Sequence, residues 1–543
     1  MTGPGLILVS TFALPILIVV ACASRRMRAN VLALLPLAPV PGLVAPFIAK
    51  GDEVAVSPAE LGFTLAMDDA GALLLGGASL LWCASALYAR ADMKNKPGAA
   101  AFSIWWLFTL AGSSGVFIAA DIVTFYLAFS LASLAAYGLV TYENTERAHR
   151  AGFVYVVLAL LGEAFILLAL VMLASLTDVG NPLIRDAVML LPQSPVQGDV
   201  IALLILGFGL KMGLVPLHVW MPLAHPVAPI PASAVLSGII VKAGVIGLIR
   251  FLPLQAPASD WGAFLIGIGL FTAFYGVLIG ITQTRLKTIL AYSTVSQMGV
   301  VAAMLGCGLV AGTNGISGIV AFYALHHMLV KGALFIGLGI TVALTAGHRR
   351  LMLALMAILA LSLAGLPLTS GAVAKFATKD LFGDGLLAWL AILSTLGSGL
   401  LMAHFLLLLR RETPGSPSSL LPASVVGAWA VVAGTTLIAP WLLLPTVSQY
   451  TIVDVLGPAS LAATSWPVAA GVTVALILHW SQLKLPAISE GDIIVAFEKL
   501  APPVSRIGRM FEWIDEGLRD WSIACLVMLA IAIAFGSTVY WTY

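Results

Sequence analysis

The chain has 543 residues, of which 60% are hydrophobic and only 10% charged, against about 25% charged in a typical soluble domain, so a water-soluble protein is excluded. The 27 Lys and Arg nearly balance the 25 Asp and Glu, and the net charge of +2 offers nothing to nucleic acid or a polyanionic substrate. Cys22, Cys83, Cys307 and Cys525 stand far apart, with no C-x-x-C or Cys/His spacing, which argues against an iron–sulfur cluster, a zinc site or a disulfide framework. No cofactor or metal is expected, and any redox chemistry belongs to another protein.

A bilayer core about 30 Å thick takes roughly 20 apolar residues per spanning helix. In chain order, spans are expected at 5–22, 31–49, 71–89, 101–120, 122–141, 152–175, 200–218, 232–253, 262–282, 288–310, 317–344, 351–374, 385–409, 421–446, 464–482 and 521–541, sixteen in all. The opening Met-Thr-Gly-Pro-Gly lacks the positive region and cleavage site of a signal peptide, so the first run reads as a retained membrane helix. Connections are short, the longest being 483–520, which leaves no room for a soluble catalytic domain. The expected fold class is therefore all-α and polytopic, with its chemistry inside the membrane or in a partner.

Charge placement sets the expected orientation. Nineteen of the 27 Lys and Arg fall in loops that follow odd-numbered spans, four (Lys50, Arg185, Arg250, Lys379) on the other side, and four inside spans. The positive-inside rule then puts the odd loops in the cytoplasm and both termini outside. Segment 483–520 differs: charged residues alternate with apolar ones, and from Val504 onward the apolar positions recur at three- and four-residue steps, the period of an amphipathic helix. Such a helix on the cytoplasmic side either lies on lipid headgroups or straps the subunit to a neighbour.

Ionisable side chains inside spans are costly and mark function by default. Here they are Lys211, Lys242, Lys331, Lys375 and Glu163. Lys211 lies in GFGLKMGLVPLH and Lys375 follows LAGLPLTSGAVAKF, so Gly and Pro should interrupt both helices, the seventh and the twelfth. Interrupted helices at corresponding places in two halves point to a transport site between inverted repeats, and a separation of five helices fits five-helix repeats. His327 and Lys331 are four apart on one helix face, and with His326 they suit a proton relay near neutral pH. His218 and His225 are candidates for an uptake point at the cytoplasmic mouth of the seventh helix, or for interfacial residues. His404 is a weaker candidate on the exit side. GIGLFT, with Gly267 and Gly269, lies inside a span and reads as packing glycine rather than a nucleotide fingerprint.

The stretches DIVTFYLAFSLASLAAYGLV, GLKMGLVPLHVWMPLAHPVAPIPASAVLSGIIVKAGVIGLIRF, TRLKTILAYSTVSQMG, LHHMLVKGALF and LAGLPLTSGAVAKF, from Asp121 to Phe376, resemble the antiporter-like, proton-translocating subunits of respiratory complex I, Mrp-type sodium/proton antiporters and membrane-bound hydrogenases such as formate hydrogenlyase. The resemblance implies inverted repeats at 101–253 (helices 4 to 8) and 262–410 (helices 9 to 13), preceded by three helices in 1–100 and followed by helices in 421–482, the amphipathic segment 483–520 and a last helix in 521–543. It implies that Lys211 is the central lysine of the first half-channel, Lys242 the connecting lysine, His327 and Lys331 the link on helix 11, and Lys375 the terminal lysine of the second half. One position departs from the pattern: where the family carries a glutamate on helix 5, this chain has Ser130, and Glu163 on helix 6 is the carboxylate available in its place. The expected function is proton translocation within a multi-subunit complex of a bacterial or archaeal plasma membrane, driven by partner subunits that include a peripheral redox arm. Sodium/proton exchange in an Mrp-type assembly, and inorganic-carbon uptake coupled to a zinc protein, are the alternatives.

Overall fold

The computed structural model describes residues 3–56, 62–312, 315–412, 422–481, 483 and 485–495. The expected span 521–541 and the amphipathic run from Val504 onward lie outside the described residues. The chain divides into Met1–Glu490 and Gly491–Tyr543, and the site belongs to the first unit.

The first unit runs α1 (Gly3–Ala21), α2 (Arg25–Leu34), α3 (Val40–Ile48), β1 (Glu53–Val56), β2 (Phe63–Ala66), α4 (Asp69–Met93), α5 (Ala99–Ile118), α6 (Ile122–Val140), α7 (Glu146–Ala174), α8 (Ile184–Leu190), α9 (Gln197–Met212), α10 (Trp220–Val227), α11 (Ile230–Val235) and α12 (Val241–Phe251). It continues through α13 (Ser259–Gly280), α14 (Leu286–Ala311), α15 (Ile316–Ala343), α16 (Ala346–Ala364), α17 (Ser370–Phe376), α18 (Lys379–Phe382), α19 (Leu386–Arg411), α20 (Ala423–Val447), α21 (Ile452–Leu456) and α22 (Pro458–Trp480). Among the described residues, 14 helices are long and apolar enough to cross a membrane, and each coincides with an expected span. This is a helical, polytopic membrane protein.

One local expectation is corrected. The run expected to span at 31–49 is two short helices, α2 and α3, parted by a turn; Pro36, Pro39 and Pro41 remove backbone donors at the junction. In the connection that follows, β1 and β2 pair antiparallel, with Glu53 opposite Ala66 and Val56 opposite Phe63. Buried Asp121 fastens this hairpin, accepting from Thr64 N at 2.5 Å while also capping α6 through Thr124 N at 2.7 Å.

Burial grades from a centre outward. The whole of the 18-residue apolar stretch within Ile230–Phe251 is buried, as is 94% of that of α15, whereas for α20 and α22 the share is 22%. A helix that is apolar all round belongs either in a core or against lipid, and these two groups occupy the two places. On the basic-loop side, segment 485–490 is tied back to the helices: Gln283 Nε2 donates to Ile488 O at 3.1 Å, and the Glu490 carboxylate takes Thr288 Oγ1 at 2.8 Å together with Arg147.

Close backbone approach holds α13 to α14. A Cβ at Gly269 would lie 2.6 Å from Gly299 O and from Ala303 N, so only glycine fits, while at Gly267 nothing lies within 4 Å. Gly269 is thus a packing glycine, as in other close membrane-helix crossings. Gly269→Leu is expected to destabilise the protein by about 1–3 kcal/mol through overpacking, and Gly267→Leu to leave it unchanged; thermal unfolding in detergent compares the two.

Candidate functional site

Both interrupted helices are present, and their freed backbone groups are satisfied by protein. α9 ends at Met212, with Gly213 at φ +80°. Trp220 Nε1 donates to Leu210 O at 2.9 Å and Thr272 Oγ1 accepts from Val215 N at 3.1 Å. The second break follows Ala364, with Gly365 at φ +95°. There Ser362 Oγ accepts from Gly371 N at 3.2 Å, and Lys375 Nζ itself donates to Ala364 O at 2.8 Å. Irregular backbone at membrane depth needs such partners. The lysines sit differently about the breaks, Lys211 in the last turn before the first and Lys375 six residues after Thr369 in the second.

Lys211 is buried at the centre of the α6–α7–α9 packing. Its ammonium donates to Ser133 Oγ at 2.7 Å and to Tyr155 OH at 3.3 Å, and lies 5.6 Å from the Phe129 ring centroid. Tyr155 OH donates in turn to Ser133 O at 2.7 Å. Glu163, also buried, is the carboxylate whose charge acts on Lys211. Ser133, one helical turn on from Ser130, is the serine of α6 that bonds the lysine, whereas Ser130 Oγ has no hydrogen-bond partner. Sequence reasoning missed Ser133 and Tyr155. The signal was there: Ser130 and Ser133 share a face of α6 at i, i+3, and Tyr155 and Glu163 are two turns apart on α7.

Lys242, fully buried, follows a π-helical turn, Leu236–Ile240, and donates to Ser237 O of that turn at 3.3 Å. Such wide turns are frequent at functional sites. Lys242 Nζ and His327 Nδ1 are 2.6 Å apart, which joins α12 to α15. Lys331, one turn beyond His327, turns to α14 instead, donating to Leu290 O at 2.7 Å and to the Ser293 hydroxyl. His326 lies 100° round the helix from His327 and meets another neighbour: its Nε2 is 3.4 Å from Ser362 Oγ, which is 3.0 Å from Ser370 Oγ at the start of α17. Lys375, half-buried, completes its bonds with Thr395 Oγ1 at 3.0 Å. A parallel set of neutral groups, Tyr323 OH to Gln297 Oε1 at 2.6 Å and Gln297 Nε2 to Ser398 Oγ at 2.9 Å, links α15, α14 and α19; it too was missed.

Beyond Lys375 the chain reaches α18, where Asp380 accepts from Tyr450 OH at 2.5 Å and from Gln449 Nε2 at 3.1 Å. The bond to Asp380 helps push the Tyr450 hydroxyl up to about 12, since its ionisation would place a second anion beside the carboxylate.

The other three candidate histidines stand apart from these contacts. His218 and His225 are both 0% exposed. His404 bonds Gln283 O at 2.9 Å, in the loop that carries Arg285, and lies in the half of α19 that ends at Arg410 and Arg411.

Residues 119–401, about half of the chain, match the family described as NADH:quinone oxidoreductase/Mrp antiporter, transmembrane. Hydrogenase-4 component B of Escherichia coli is 31% identical over 299 residues, covering 52% of this chain and 44% of its own length. The putative antiporter subunit mnhA2 of Staphylococcus epidermidis is 32% identical over 314 residues, covering 52% of this chain and 38% of its own. The chain spans less than half the length of these curated relatives. Among solved structures, the Mrp complex from Dietzia sp. has a chain that shares the fold over 100% of this one and 63% of its own length, at a TM-score of 0.72 and 19% identity. With the matched segment enclosing Lys211, Lys242, Lys331, Lys375, His326, His327 and both broken helices, the chain belongs to the NADH:quinone oxidoreductase/Mrp antiporter transmembrane family.

Proposed function

We propose that the chain translocates protons as one membrane subunit of a larger complex, with a redox reaction in partner subunits supplying the energy. The observation that carries this is the set of buried titratable groups in the helical core, Glu163 and Lys211, Lys242 against His327 at 2.6 Å, Lys331 and His326, together with half-buried Lys375. Burying an ammonium at mid-membrane costs about 2.5–3.5 kcal/mol on insertion scales, and four lysines kept there against that cost suit groups that load and release protons. In this reading the first inverted repeat is 101–253 and the second 262–410, the basic loops face the cytoplasm, and Lys375 unloads to the outside near Lys379 and Asp380.

His327→Gln breaks the contact between Lys242 and the second half. With assembly intact, proton movement by the whole complex in proteoliposomes is expected to fall at least about tenfold, the equivalent of about 1.4 kcal/mol. Wild-type movement would sink the reading. Glu163→Gln is expected to fall by a similar factor, because Lys211 loses the carboxylate that acts on it, and Ser133→Asp in that background to recover part of the rate. No loss in Glu163→Gln would show that the first half works without a carboxylate.

The likeness to a putative antiporter subunit supports a second reading, in which the same lysines exchange protons for sodium. Proton movement that needs sodium on the opposite side of the membrane would select it.

A further inference from the structure

A trough of about 1150 Å³ lies between α3, α4, α15 and α20, larger than the roughly 300–1,000 Å³ of an ordinary small-molecule pocket. Its charges are gathered at one end, where Lys50, Asp68, Asp69, Arg185 and Arg250 line it. Lys50, Arg185 and Arg250 are three of the four basic residues placed on the side away from the basic loops. The deep lining is Ala, Gly, Leu and Pro with Thr435, and it ends at Leu80 of α4 and Leu329 of α15. From Asp69 to Leu80 along α4 is about 16 Å, and from Ser317 to Leu329 along α15 or from Thr435 to Val447 along α20 about 18 Å, at 1.5 Å per residue. Half of a bilayer core about 30 Å thick is close to that length. The trough is one leaflet deep, charged at the surface and apolar towards the midplane.

The charges at the mouth come in opposite pairs. Lys50 Nζ lies 2.8 Å from Asp69 Oδ1, and both side chains are more than half exposed. Arg185 reaches Glu53 at 2.7 Å. Arg250 is held by Asp68 at 3.1 Å and by the carbonyls of Val116, Phe117 and Ala119 at 2.7–3.0 Å, so its guanidinium is engaged within the protein. An exposed ion pair such as Lys50 with Asp69 stabilises little and exchanges partners readily. Deeper in, Gly318 of α15 forms part of the wall, and a Cβ there would meet nothing within 4 Å.

We infer that this trough is a binding site for one phospholipid of the leaflet away from the basic loops, with a headgroup that carries both signs, as in phosphatidylethanolamine. The phosphate takes Lys50, the ammonium takes Asp69, and the acyl chains run down between α4, α15 and α20 to Leu80 and Leu329. A headgroup with both signs matches the paired charges of the mouth, whereas a purely anionic one sets its charge against Asp69. The depth selects a lipid over a membrane-spanning helix, which would need an apolar groove through both leaflets. Leu325 and Leu329 flank His326 and His327 in the sequence of α15, so the chains pack against the stretch of helix that carries both histidines. The site does not depend on whether the chain moves protons.

The test purifies the full chain in mild detergent, adds synthetic phosphatidylethanolamine or phosphatidylglycerol, and counts retained lipid by native mass spectrometry. The wild-type chain is expected to keep one phosphatidylethanolamine and to prefer it to phosphatidylglycerol. Gly318→Trp fills the trough from a position with room for a side chain, and is expected to lower retention at least about tenfold, as losing the burial of two methylenes would. Lys50→Ala is expected to lower it about fivefold, one basic residue's contribution at a membrane surface. Equal retention in the wild type and Gly318→Trp, or a preference for phosphatidylglycerol, overturns the proposal. A second measurement holds if Gly318→Trp fails to fold: Leu73, in the wall on α4, is replaced by a diazirine-bearing analogue of leucine, and the whole complex is irradiated in its native membrane. An adduct with the mass of a phospholipid supports the site. An adduct to residues 521–541 of this chain or to another polypeptide, or no lipid adduct, overturns it.

Discussion

Lys211→Met is expected to abolish proton movement while leaving insertion and assembly intact and the protein no less stable. The two effects have opposite signs. The lysine is buried in the α6–α7–α9 packing, where no other amine lies among the described residues, so under the proposed function no other amine there would replace it as a proton carrier. For the fold, removing an ammonium from mid-membrane relieves a cost of about 2.5–3.5 kcal/mol on insertion scales. Methionine fills the same length with an unbranched apolar chain, Tyr155 OH keeps its bond to Ser133 O, and Glu163, left without a counter-charge, avoids the cost of a lone buried carboxylate by keeping its proton. The check is sided proton movement in proteoliposomes beside thermal unfolding of the same preparation. Normal movement would remove Lys211 from the mechanism, and loss of both movement and stability would make it a structural residue.

Lys375→Arg is expected to block movement as fully, and to slow the driving reaction in partner subunits too. A guanidinium can reach Ala364 O and Thr395 Oγ1, the two acceptors of the lysine, and so preserves charge and local structure. It cannot release a proton in the working range. Release from lysine is driven by the next positive charge: two ammonium groups about 8 Å apart repel by about 2 kcal/mol at an effective dielectric of 20, enough to favour unloading more than tenfold. A fixed cation accepts the same repulsion without relieving it, and a tightly coupled driver then works against a jammed outlet. Turnover and pumping at wild-type rates in Lys375→Arg would show that proton exchange at this position is not a step.

What the sequence makes legible here follows from the cost of exceptions in an apolar medium. Lysine within a span, and glycine with proline beside it, are rare enough that Lys211, Lys375 and both helix breaks can be read from letters alone. Which neighbour a side chain meets is another matter, because one residue of helix rotation is 100°. Ser130 and Ser133 lie on the same face of α6, and only the rotation of α6 against α9 gives Ser133 the lysine. His326 and His327 read as a pair yet serve opposite neighbours, Ser362 and Lys242.

Other features leave no mark in composition. The π turn at Leu236–Ile240 contains neither proline nor a charge; within it, Ser237 Oγ lies 2.8 Å from Thr294 Oγ1. Hydropathy averaged over 31–49 hides the three prolines that divide the run. Lys287 sits just outside an apolar run, so a loop count absorbs it, although the backbone bend at Ala228 holds it within the protein.

The most direct measurement is the number of protons moved per turnover of the complete complex when Lys242 is replaced by methionine. Lys242 is the lysine in contact with His327, the link between α12 and α15, and its loss leaves Lys211 and Lys375 in place. The account predicts that the protons contributed by this subunit disappear from the ratio, with the complex assembled and Lys211 and Lys375 still present. An unchanged ratio in assembled Lys242→Met would contradict proton transfer along this line.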